Sequence, residues 1–67
     1  MKVKQLLKHF WHGNSTIETV QILRMRDHLD TLNYRDLCAG DYGQYANESI
    51  SIFQINDKVM KIWIKVT

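Results

Sequence analysis

The sequence predicts a single small α+β domain spanning residues 1–67, with an N-terminal amphipathic helix packed on an antiparallel sheet that ends in a β-hairpin. Three observations predict it. Val3, Leu6, Leu7 and Phe10 recur at helical spacing close to the start. The runs SISIFQI (49–55) and KVMKIWIKV (58–66) read as strands separated by the polar pair Asn56-Asp57. A chain of 67 residues has material for one core, with a net stability of about 3–5 kcal/mol for a domain of this size.

The elements follow in order. A helix is predicted over about 2–12: Lys2, Lys4, Lys8 and His9 take the positions between the apolar stripe, and Gly13 stops it. Lys8, His9 and His12 fall in the last turn, where positive charge suits the helix dipole. STIETVQILRM carries two signals. Ser15 and Glu18 have the spacing of a capping box, and Ile22, Met25, Leu29 and Leu32 fit a helix. Thr16, Ile17, Thr19, Val20 and Ile22 are β-branched and favour a strand. A strand over about 16–25 is the reading adopted, with a helix as the alternative. DHLD (27–30) is then a turn and TLNYRDL (31–37) a second strand. CAGDYGQYANE (38–48), with Gly40 and Gly43, reads as loop with one helical turn around Tyr42 and Tyr45.

The closing hairpin poses the functional question. In KIWIK (61–65), Ile62 and Ile64 face one side, and Lys61, Trp63 and Lys65 the other. A two-residue loop places Phe53 opposite Met60 and Ile50 opposite Trp63, so that Ile50, Ile52, Val59 and Trp63 share a face. A three-residue loop places Ile52 opposite Ile62 and sets Trp63 beside Phe53. In both registers the two faces carry large apolar groups, which a half-exposed antiparallel sheet does not require. The N-terminal helix, a second copy of the chain or a ligand is therefore expected over the second face.

Composition excludes several classes. Hydrophobic residues make up 45% and charged residues 24%, within the range of an ordinary globular domain. No apolar run is long enough to span a membrane, and MKVKQLLKHFW is broken by Lys8 and His9 before it could serve as a signal peptide. Cys38 is the only cysteine, so an internal disulfide is excluded; a lone thiol suits the cytoplasm, and its ordinary role is that of a small buried apolar residue. The net charge of +2 is unevenly spread. Both ends hold lysines and no acid, while the middle is acidic.

Chemistry-bearing constellations are sparse. His9 and His12 lie three apart, but a zinc site needs further ligands, and nothing in the spacing brings His28, Cys38 or a carboxylate to them. Asp27, Asp30, Asp36 and Asp41 fall in turn and loop segments, which favour aspartate for backbone hydrogen bonding. AGDYG lacks the spacing and lysine of a phosphate-binding loop. No catalytic residue, metal or cofactor is implied, and the chain is not expected to be an enzyme. Lys61, Trp63 and Lys65, extended by Lys2, Lys4 and Lys8, have the basic and aromatic character of a single-stranded nucleic-acid site. The commoner role of such a tryptophan is burial beneath a helix or in a protein interface, with lysine stems laid over it.

The opening VKQLL helix, the TIETVQIL strand, the YRDL segment and the closing ISIFQIND-KVMKIWIKV hairpin together resemble short uncharacterised proteins of Gram-positive bacteria and their phages and mobile elements. The resemblance implies a bacterial cytoplasmic accessory protein and transfers no functional residue.

The expectation is a small non-enzymatic cytoplasmic interaction module. It binds an unidentified protein, or itself as a homodimer, through the second face of the C-terminal hairpin. Trp63 is the anchor, with Ile50, Ile52, Phe53 and Val59 around it. The alternative is a single-stranded nucleic-acid-binding protein using Lys61, Trp63, Lys65, Lys2, Lys4 and Lys8. A membrane partner is not expected.

Overall fold

The computed structural model describes residues 1–11 and 16–66, the side chain of Trp11 excepted. The predicted capping residue Ser15, His12 and the helix stop at Gly13 lie outside the described residues, as does the packing of Trp11.

Helix α1 runs from Val3 to Trp11. Its stripe behaves as its spacing requires: Val3, Leu6 and Leu7 are buried and Phe10 is half-buried. A helix leaves its first N–H groups without intrahelical partners. Here Val3 N–H donates to the carbonyl of Glu48 (3.0 Å) and Lys4 N–H to that of Ala46 (2.9 Å), while Lys2 N–H donates to Gln5 Oε1. These bonds tie the start of α1 to the loop that leads into the closing hairpin.

Two hairpins make the sheet. Strand β1 (Thr19–Arg24) pairs antiparallel with β2 (Asp27–Asn33), and β3 (Ile50–Asn56) with β4 (Val59–Ile64). The order is β2-β1-β4-β3, with β1 and β4 parallel at the centre. The expected helix-on-sheet α+β domain is thus formed, and its sheet is mixed. The parallel contact pairs Val20 with Met60 and Ile22 with Ile62. At its lower end, Glu18 N–H donates to the Lys58 carbonyl (2.8 Å).

Alternation puts Val20, Ile22, Leu32, Met60, Ile62 and Ile64 on one face. All are buried, together with Val3, Leu6 and Leu7 of α1, Ile17, and Leu37 of α2. Helix α2 (Tyr34–Cys38) replaces the strand expected over 34–37. The reason is local. Asn33 Oδ1 accepts from Asp36 N–H (2.9 Å), and Asp36 Oδ2 accepts from Asn33 N–H (3.1 Å), a reciprocal cap that starts a helix there. Cys38 ends this helix exposed, not buried as its residue type suggests, because the buried position of so short a helix goes to Leu37.

Both turns lie elsewhere than expected. The first is Met25-Arg26, and 27–30 belongs to β2. The second is Asp57-Lys58 instead of Asn56-Asp57. Met25 (φ 55°) and Asp57 (φ 57°) each take a positive φ at the first turn position, the geometry that two-residue hairpins demand. The later turn shifts the register so that Phe53 opposes Ile62 and Ile52 opposes Trp63. A bulge between Ile50 and Ile52 then sets Ile50 opposite Ile64. In 38–48, turns over 44–47 carry Tyr45, and half-buried Tyr42 and Tyr45 pack on the core.

Candidate interaction face

The side of the sheet away from α1 is built from residues that alternate with the core. Leu23, Trp63 and Ile52 are direct neighbours on β1, β4 and β3 and form an apolar row across three strands. Leu23 and Trp63 are half-buried, and Ile52 is 61% exposed. Below them lies a row of Gln21, Lys61 and Gln54, and below that one of Thr19, Val59 and Asn56. Strand β2 completes the rows with His28, Thr31 and Asn33. His28 Nε2 and Thr31 Oγ1 are 2.6 Å apart, a hydrogen bond that fixes the imidazole on this side. None of these face residues is acidic. Ile52, Phe53, Gln54 and Trp63 line a shallow depression at the β3 side.

The residues named from sequence are divided by the sheet. Trp63, Ile52 and Val59 share the open face. Ile50 and Phe53 do not: both point to the α1 side, where Ile50 packs against the core and Phe53 meets Phe10 edge-on, ring centroids 5.8 Å apart. The bulge between Ile50 and Ile52 turns Ile50 to that side, and alternation with Ile52 puts Phe53 there. Burial of Trp63 beneath α1 is excluded, since Ile62 and Ile64 on either side of it occupy that position. Of the basic residues, Lys61 stands on the open face and exposed Lys65 follows the end of β4. Lys4 and Lys8 lie on α1, across the sheet from Trp63, whereas Lys2 precedes the helix and bridges Ser49 just before β3, where the Ser49 carbonyl accepts from Lys65 N–H. Leu23 and Gln21 were not picked out from sequence. The alternation in TVQIL contains them, but the competing helical signal in that segment masked it.

A second, larger cleft is lined by Thr16–Thr19, Asn33–Arg35 and Lys58. Its charges are exposed. Glu18 and Lys58 lie 3.6 Å apart, each 60% exposed, a pair that contributes little. Asn33 is occupied by the α2 cap. A hydrogen bond to Cys38 raises the phenol of Tyr34 above its ordinary value, and the nearby thiol charge acts in the same direction. Glu18, the carboxylate among the described residues that line it, is exposed, not desolvated as a general acid would need to be. Among the described residues no three His, Cys, Asp or Glu side chains converge as metal ligands, and no helix is long and apolar enough to cross a membrane.

No family model, curated protein or solved structure matches the chain.

Proposed function

We propose that the chain is a non-enzymatic protein-interaction module that works through its open sheet face, with Trp63 as anchor and Leu23 and Ile52 beside it. The observation that carries this reading is the apolar row across β1, β4 and β3 on the side opposite the helix. Trp63 is only half-buried there, so much of its apolar surface is left facing solvent. A partner that covers the row removes its remaining surface from water at about 25 cal/mol per Å². A central aromatic with a polar surround is the usual anatomy of a protein contact. Gln21, Gln54 and Thr19 supply that surround. The exposed thiol of Cys38 is compatible with a reducing compartment, so the cytoplasm is the proposed setting.

The test is a photoreactive side chain placed at Ile52 in cells that express the chain. The reading expects a discrete protein adduct that disappears when Trp63→Ser is added. It expects no Trp63-dependent adduct from a probe at Arg35, in the other cleft. An Ile52 adduct indifferent to Trp63→Ser would remove the anchor role.

One observation favours a second reading. The face is free of acid and carries Lys61 in the row next to Trp63, which suits a single-stranded nucleic acid. With Lys4 and Lys8 on the far side, few phosphate contacts remain, and such binding is weak and salt-sensitive. In a Trp11→Phe background, titration with a mixed-sequence oligonucleotide at low salt separates the two. Saturable quenching of Trp63 that salt reverses would favour nucleic acid over protein.

A further inference from the structure

The two sheet edges are protected very differently. Strand β2 carries Asp27, His28 and Asp30 and a register irregularity. Gly43 also lies against it, so close that an added Cβ would stand 2.9 Å from Asp30 Oδ2. Charge, bulges and covering loops are the usual defences against edge pairing. Strand β3, ISIFQIN, has no charge, proline or glycine in seven residues. Its exposed apolar side chains project from both faces: Ile52 on the open side, Phe53 (40%) and Ile55 (44%) on the helix side.

The free part of this edge is delimited. At its beginning, Ile50 N–H donates outward to the Met1 carbonyl (2.9 Å), and Lys2 bridges Ser49. At its end, Asp57-Lys58 turns the chain back. Between them, no described strand pairs with the outer side of β3. Asn56 and Val59 close a two-residue hairpin, so their backbone groups face each other. Alternation then points the N–H and C=O groups of Phe53 and Ile55 outward.

We infer that β3 is a self-pairing edge: two copies of the chain join their β3 strands antiparallel about a dyad at Gln54, making one eight-stranded sheet. The inference rests on reading the chain as an interaction module, and it names a partner at a surface distinct from the Trp63 face. A second copy is the occupant because the edge complements itself. The dyad at Gln54 fits residues 52–56 between the Met1–Lys2 bridge and the turn. It opposes Phe53 to Ile55 twice on the helix side and Ile52 to Asn56 twice on the open side. Phe53 and Ile55 exchange both backbone bonds in each pair. No like charges meet, since the strand has none. Such an interface is isologous and closes, leaving the better-defended β2 strands as the outer edges.

Sedimentation of the full chain, of mass 8.0 kDa, over a concentration series tests this. The wild type is expected at twice the chain mass at high concentration. Ile55→Pro removes an outward N–H without touching the β3–β4 ladder and is expected to give monomer. Gln54→Lys and Gln54→Glu each place like charges across the dyad, and each alone is expected to give monomer. Mixed in equal amounts they are expected to restore a dimer. Circular dichroism of each variant separates loss of pairing from loss of fold, and Gln54 is exposed enough to change without unfolding. Wild-type monomer at every concentration overturns the inference while leaving the Ile52 cross-linking test intact. A dimer that survives all three β3 variants but is lost with Trp63→Ala also overturns it; the copies would then meet through the open face, and the interaction reading would stand.

Discussion

Ile62 and Trp63 are consecutive residues of β4 on opposite faces, and truncating each in turn measures how different those faces are. Ile62 is 0% exposed, between Ile22 on β1 and Phe53 on β3, beneath the α1 stripe. Ile62→Val removes one methyl group from a packed site, which costs about 0.5–1.5 kcal/mol. Ile62→Ala removes more and leaves a cavity, at about 2–5 kcal/mol. Against a total of about 3–5 kcal/mol for a domain this small, the alanine variant is largely unfolded at 25 °C. Trp63 is half-buried against Leu23 and Ile52 with solvent above it, so Trp63→Ala is expected to cost on the order of 1 kcal/mol. The assay is urea unfolding followed by far-ultraviolet circular dichroism, at one protein concentration for all variants. The expected order is wild type, then Trp63→Ala and Ile62→Val close together, then Ile62→Ala far below. If Trp63→Ala were as damaging as Ile62→Ala, the open face would be part of the core and the interaction reading would lose its basis.

Other positions give independent checks. Met25 holds φ 55° in the first turn, so Met25→Gly is expected to stabilise by about 1 kcal/mol and raise Tm by roughly 4–8 °C, read by thermal denaturation. Gly43 combines φ +78° with Asp30 and Leu32 atoms at 2.9 and 3.0 Å from a built Cβ; Gly43→Ala is expected to destabilise by about 1–2 kcal/mol in the same urea assay. Asn33→Ala removes the acceptor of the α2 cap and is expected to cost about 0.5–2 kcal/mol, with Asn33→Asp recovering most of the loss.

The sequence made the two terminal elements legible because each is periodic over enough residues. The stripe Val3, Leu6, Leu7 and Phe10 has one helical solution. Strand β4 alternates buried Met60, Ile62 and Ile64 with Lys61 and Trp63, which has one strand solution. The middle was harder. In β1 the β-branched residues and the helical spacing of Ile22, Met25, Leu29 and Leu32 compete, and only pairing with β4 decides between them. That parallel pairing is non-local and has no local signal. Strand β2 hid behind its aspartates, which are also turn formers. Helix α2 was missed because Asn33 and Asp36 were not weighed as a capping pair. The candidate face was half legible. Trp63, Ile52 and Lys61 followed from alternation, which also sends Phe53, next to Ile52, to the other face; Ile50 was displaced by a bulge that no residue of SISIF announces.

The proposed interaction face requires Trp63 to stand uncovered by the rest of the chain. Acrylamide quenching of a Trp11→Phe protein, dilute enough to be monomeric by sedimentation, tests this most directly because Trp63 is then the only tryptophan. Emission at intermediate wavelength and ready quenching in the native state, reaching a substantial fraction of the value in urea, is the predicted result. Blue-shifted emission with quenching near zero would mean that the chain covers Trp63 itself, and the open face would not exist.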